Sequence, residues 1–168
     1  MREVNPDILA VTRCIRCSAC LRACPTHALQ PGVFEAGVQG FGAPLLIPRL
    51  GYCDYACNAC GQVCPTGAIP PLSLDEKRVR VIGKAFIDED HCIPYADGIN
   101  CFVCEEMCPL PQKAITLVEK GNGAGEGHGS GGVQVPVVNR ELCTGCGICE
   151  YQCPVSGESA IRVYIPTV

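Results

Sequence analysis

The 168-residue chain carries sixteen cysteines in four groups of four, and each group closes on a Cys-Pro dipeptide: Cys24-Pro25, Cys64-Pro65, Cys108-Pro109 and Cys153-Pro154. No cysteine is left over. The first group runs Cys14-x2-Cys17-x2-Cys20-x3-Cys24, and the last repeats that spacing at Cys143, Cys146, Cys149 and Cys153. The second, Cys53, Cys57, Cys60 and Cys64, has one extra residue in its first gap, and the third, Cys92, Cys101, Cys104 and Cys108, loops out residues 93–100 there. The x2, x3, Pro half is common to all. Whatever fold the chain adopts must gather thiols in fours.

The spacing has a chemical reading. A cubane presents its irons at the corners of a compact solid, so three thiolates spaced x2 and x2 wrap one face from a single tight loop and the fourth must come from elsewhere. The x2-x2-x3-Pro run is the ligand pattern of bacterial 4Fe-4S proteins, in which the Cys before Pro ligates the other cluster of a pair. Proline, with fixed φ and no N–H, turns the chain there. The expectation is four 4Fe-4S clusters held by all sixteen cysteines, each run serving two clusters. Zinc fits less well, because its structural sites use separated pairs of ligands around one ion and the three histidines do not recur in register. A disulfide framework needs an oxidising compartment. The start, MREVNPDILAVTRC, has neither a signal-length apolar core nor a twin-arginine motif, so a cytoplasmic location is expected. The bland alternative for Cys53 and Cys92, a buried free thiol, ignores the intact half-run that follows each.

Composition agrees with a fold built on cofactors. There is no Trp, aromatics are 5%, and the chain has 19 Gly and 14 Pro. The apolar stretches, such as Ala43 to Ile47 and Val133 to Val138, are too short to span a bilayer. The formal charge of -4 understates the acidity, since four thiolates around an oxidised core add roughly -2 per cluster, about -12 in all. Nucleic acid calls for a basic footprint and is not an expected partner; a redox protein with a basic patch is.

Each run is followed by a small apolar segment, and strand-like segments precede the last three. The first kind includes Thr26 to Leu29, Thr66 to Ile69, Lys113 to Leu117 and Ser159 to Val163; the second includes Leu45 to Ile47, Ala85 to Asp88 and Val135 to Val138. These are internal repeats of a half-module of strand, cluster loop, short helix and strand. The fold class expected is α+β: tandem ferredoxin-like modules of the bacterial two-cluster kind, with short strands, short helices and long loops. Arg78 to Ile82 and Lys84 to Asp88 flank Gly83 as a hairpin. That hairpin favours a nested organisation, residues 1–50 and 120–168 forming one module around an inserted module of residues 51–119, although sequential pairing stays open. Residues 121–132, GNGAGEGHGSGG, read as a flexible loop in which His128 is solvated. His27 and His91 sit beside cluster loops and Asp54 and Tyr55 within one, but no nucleophile has a neighbouring base. The chain is expected to have no catalytic site of its own.

The four Cys-Pro runs, the phrases GYCDYACNACGQVCPTGAI and NCFVCEEMCP, and the ending ELCTGCGICEYQCPVSGESAIRV resemble the polyferredoxin family of nitrate-reductase and methylamine-utilisation electron carriers, over about residues 8–165. In form the chain is closest to the small electron-transfer subunit of a tungsten-dependent aldehyde oxidoreductase, a likeness that implies assembly into a cluster wire. The resemblance implies an electron-transfer subunit that relays single electrons between a catalytic oxidoreductase chain and a flavin- or NAD-linked one. The alternative is a freely diffusing polyferredoxin, which needs fewer clusters. An iron-sensing regulator would need a DNA-binding element, and none is legible. Arg13, Arg16 and Arg22 surround the first run, while Asp88, Glu89, Asp90, Asp97, Glu105 and Glu106 surround the third. That asymmetry suggests head-to-tail self-association.

Overall fold

The computed structural model describes residues 13–33, 40–120 and 132–164; His128 and most of the Gly-rich segment lie outside them. Among the described residues six short helices and six short strands follow in the order α1 Ala19–Ala23, β1 Leu29–Pro31, β2 Pro44–Leu46, α2 Ala59–Gln62, α3 Leu74–Val79, β3 Lys84–Ile87, α4 Ile93–Ala96, α5 Val103–Glu106, β4 Ile115–Glu119, β5 Gln134–Val138, α6 Ile148–Gln152 and β6 Ile161–Tyr164. Helices of this length do not hold themselves up in water. They depend on what they pack against, and this matches the α+β class of short elements expected from the repeats.

The strands form three antiparallel pairs. β1 lies against β2 with Leu29 opposite Leu46, β4 against β5 with Ile115 opposite Val138, and β3 against β6 with Ala85 opposite Val163. β1 follows the first run and β2 precedes the second; β4 follows the third and β5 precedes the fourth. α1 packs on α2 and α5 on α6. The strand pairing therefore joins run one to run two and run three to run four, in place of the nested grouping of 1–50 with 120–168 around 51–119. Neighbours in sequence pair because a short connection closes at the smallest entropic cost.

The hairpin at Gly83 is also replaced. Ser73 caps α3 by accepting from the backbone N–H of Glu76, whose carboxylate accepts from the Ser73 N–H at 2.8 Å, a capping box. Arg78 and Val79 are thus helical rather than extended. The Ser-x-x-Glu signal outweighs the local β-propensity of the residues that follow. β3 instead finds β6, and Gly83 is pressed against the fourth run: a Cβ on Gly145 would sit 2.4 Å from the Gly83 backbone. After run two no strand forms, since Pro70 and Pro71 have no N–H for a ladder.

Among the described residues the interior is made of small side chains and thiols. Ala28, Ala43, Ala68, Ala85, Ala114 and Ala160 are buried, with Cys20, Cys92, Cys143 and Cys149; the larger aliphatics among the buried apolar residues are Ile115, Val135, Ile161 and Val163. The main apolar cluster lies in the second pair of runs, where Ile115, Ile161 and Val163 pack around Cys143 and Cys149.

Candidate functional site

The cysteines gather into four cups, each built from the first three of one run and the last of its neighbour. Cys14, Cys17 and Cys20 share cup one with Cys64, closed by Pro65, Ala68 and Ile69. Cys92, Cys101 and Cys104 share cup three with Cys153, and Cys143, Cys146 and Cys149 share cup four with Cys108. In cup two Cys53, Cys57 and Cys60 have Cys24 for a neighbour, because burial and then the charges of Cys53, Cys57 and Cys24 push the Cys60 thiol up to about 11. Run two's extra residue and run three's loop-out thus leave Cys53 and Cys92 beside the other cysteines of their runs.

Local backbone geometry produces the loops. In run four, Gly145 and Gly147 take φ of 77° and 84°; in run one the equivalent positions are Arg16 and Ser18, at 58° and 60°. Wrapping x2-x2 around one face requires two left-handed residues, which glycine supplies without a Cβ penalty. Just after the Cys-Pro turn, His27 is left-handed at φ 54° where run two has Gly67 at 64°. The place of His27 beside a cluster loop is a turn position.

The thiols are held where they repel. Burial first, then neighbouring cysteines, pushes Cys92 and Cys146 up to about 11 and Cys104 to about 12, and Cys149 higher still. Burial also raises Cys53, against the opposing pull of Lys77. Two of the Cys-Pro thiols behave differently. Burial raises Cys24 and Cys64, but the Thr26 and Thr66 hydroxyls and backbone N–H groups outweigh it and leave both lowered. The Ile69 N–H donates to Cys64 Sγ and the Ala85 N–H to Cys143 Sγ, both at 3.4 Å. Crowded thiols with N–H donors aimed at sulfur suit a cationic polynuclear core. Among the described residues no three His, Cys, Asp or Glu converge tightly enough to hold a single ion, whereas four thiols line each of cups one, three and four. The donor set fits 4Fe-4S cubanes.

Sequence reading did not single out Arg49, which binds across the modules: Nη1 donates to the Glu150 carbonyl at 3.1 Å, the Cys153 carbonyl at 3.3 Å and Ser159 Oγ at 2.7 Å, and Nη2 to the Val155 carbonyl at 2.8 Å. No local motif marks it. Thr26 and Thr66 were legible in principle, as the repeated Cys-Pro-Thr. The acidic surround of run three is partly paired: Lys113 meets Glu105 at 2.6 Å and Arg162 meets Asp88 at 2.8 Å. His91, beside Cys92, is an exposed partner of Asp88 at 3.0 Å.

Comparison with known proteins follows the same division. The family described as 4Fe-4S dicluster domain matches residues 13–68 and 97–156, one match for each pair of runs. Among relatives, the ferredoxin-type protein NapG of Haemophilus influenzae is 35% identical over 151 residues, covering 89% of this chain and 52% of that protein. The methylamine utilization ferredoxin-type protein MauM of Methylorubrum extorquens is 36% identical over 160 residues, 94% of this chain and 67% of that one. NapG of Escherichia coli is 33% identical over 163 residues, 95% and 67%. The chain spans about half the length of the first of these relatives. They support the ferredoxin resemblance and do not carry the closer likeness to a tungsten-enzyme subunit. Among the described residues no helix is long and apolar enough to cross a membrane. Two dicluster matches and sixteen cysteines fit four 4Fe-4S clusters, and the chain belongs to the 4Fe-4S dicluster ferredoxin family.

Proposed function

We propose that this chain is the electron-relay subunit of a larger oxidoreductase, and that all sixteen cysteines are cluster ligands, with Cys64, Cys24, Cys153 and Cys108 completing cups one to four. The supporting observation is the exchange of the fourth cysteine between neighbouring runs. When bound, each cluster takes up and gives back a single electron. The chain's own residues do the rest. Ala68, Ala114 and Ala160 line the cups and keep water from the sulfurs, while N–H groups such as those of Ile69 and Ala85 stabilise negative charge on thiolate. Such donors, together with charge and exposure, set reduction potentials.

Four clusters in one chain suit spanning a distance between partners; a diffusing carrier, the alternative reading, needs only one or two. The relay runs between a catalytic oxidoreductase subunit and a flavin- or NAD-linked subunit. The basic surround of cup one and the acidic residues near cup three favour head-to-tail contact between copies. The proposed compartment is the cytoplasm, where thiols stay reduced until clusters are inserted; cell fractionation tests that placement.

Two measurements test the reading. Iron and sulfide analysis of anaerobically prepared protein is expected to give about sixteen iron atoms per chain; a count near twelve removes one cup, and zinc without iron ends the reading. Affinity purification from the native cell should then bring down a large cofactor-containing chain. A monomer that is fully active as a soluble carrier favours the alternative.

A further inference from the structure

The two cups within each module are linked by covalent chain, because the fourth cysteine of each run belongs to the neighbouring cup. Cys20 and Cys24 connect cup one to cup two, and Cys104 and Cys108 connect cup three to cup four. Between modules the connection is not covalent, and its position decides the order of the whole row. The backbone N–H of Cys53, in cup two, donates to the carbonyl of Cys146, in cup four, at 2.8 Å. This joins two ligand residues directly. Beside it the rings of Tyr52 and Tyr151 lie 5.4 Å apart at a tilt of 52°. A Cβ on Gly147 would come within 2.8 Å of the Pro48 side chain, so the run-four loop is tight against the first module. Arg49, four residues before Cys53, pins the far side through its four hydrogen bonds to the end of α6 and the turn after it. One of these reaches the Cys153 carbonyl of cup three, but by a long side chain from a residue that is no ligand.

We propose that electrons cross this chain in the order cup one, cup two, cup four, cup three, rather than in sequence order, and that Arg49 is the positioning residue for the crossing at Cys53 and Cys146. The inference rests on the reading that the cups hold clusters. Tunnelling falls off steeply with distance, so the crossing belongs where ligand residues touch. One electron leaves the reduced cluster of cup two and reduces the oxidised cluster of cup four, or the reverse, with no bond made or broken. Cup four has two buried cysteines, Cys143 and Cys149, against one each in cups one and three, Cys20 and Cys92, and none in cup two.

The experiment uses the full holoprotein reduced with dithionite and read by electron paramagnetic resonance. Iron content comes first, because a wild-type count far below about sixteen defeats the cluster reading, not the order. One variant, Cys17→Ala, Cys20→Ala, Cys101→Ala and Cys104→Ala, leaves cups two and four; another, Cys57→Ala, Cys60→Ala, Cys146→Ala and Cys149→Ala, leaves cups one and three. The proposed order predicts magnetic splitting between the remaining clusters in the first variant and isolated-cluster spectra in the second. Isolated spectra in the first overturn it. Because heavily substituted chains can fail to fold, Arg49→Ala is read in the intact chain. With iron unchanged, the splitting between modules is expected to be lost and the splittings within modules kept, and Arg49→Lys should restore part of it. An unchanged spectrum in Arg49→Ala overturns the positioning role.

Discussion

Ala28, Ala68, Ala114 and Ala160 each stand a few residues after a Cys-Pro, and each is buried, at 1%, 7%, 2% and 2% exposure. Ala114 faces cup four and leaves room that a larger residue would take from the cofactor. Ala114→Leu is therefore expected to lower the iron content from about sixteen towards about twelve without loss of the first module, measured by metal analysis and by the absorbance of the remaining clusters. The thiols themselves make assembly pH-dependent. Thiols with an ordinary pKa of about 8.5 are mostly protonated at neutral pH in the metal-free chain, burial in the folded arrangement raises Cys92 and Cys104 further, and all must lose their protons to bind iron. Reconstitution should release protons, and cluster retention should weaken as pH falls; a proton yield of zero in calorimetry run in buffers of different ionisation enthalpy would contradict this.

The cluster loops show what an element of five or six residues demands. Gly145 at φ 77° is both left-handed and in contact with Gly83, so Gly145→Ala combines a conformational cost of about 1–2 kcal/mol with a backbone clash. It should abolish cluster binding in cup four. Ser18, at φ 60°, caps α1 with no side-chain hydrogen bond, so Ser18→Gly sheds left-handed strain and loses no cap. A gain of up to about 1 kcal/mol is expected after glycine's greater entropy loss is subtracted, readable as slower loss of the visible absorbance on heating. The opposite signs at two left-handed loop positions distinguish loop geometry from a general intolerance of substitution.

At the scale of the molecule, the apolar interior among the described residues is alanine and thiol with few large side chains, which is too little burial to offset their chain entropy. The clusters then couple to folding. Chelation or oxidative removal of iron should abolish near-UV dichroism and expose the chain to protease; a protease-resistant, cluster-free protein would contradict it. Charge acts on the same scale. Arg16 holds the Phe41 carbonyl through Nε at 2.7 Å and, with Arg22, places positive charge at the cup-one end. Arg16→Glu with Arg22→Glu should lower the potential of that cluster, since positive neighbours favour the reduced, more negative form, and should shorten any assemblies seen by light scattering. Potentiometric titration of the variant tests the first, and unchanged values mean the arginines form only a solvated face.

What this chain binds was written in its sequence by itself, because x2-x2 is a local requirement: three thiols and two left-handed residues fall within one loop, and nothing distant is needed to bring Cys14, Cys17 and Cys20 together. The α+β class followed from the same short repeats. Which run completes which cup was decided by tertiary structure. The apolar segments around the runs are alike, so β3 carries no local mark that sends it to β6 rather than to a hairpin partner across Gly83. The Ser73 and Glu76 box was present in the sequence, yet the apolar residues after it read equally well as strand until the helix claimed Arg78 and Val79. Arg49 is the extreme case. Its partners lie about a hundred residues further along the chain, and a side chain's hydrogen bonds at that separation depend on how two folded modules meet, which no local pattern records.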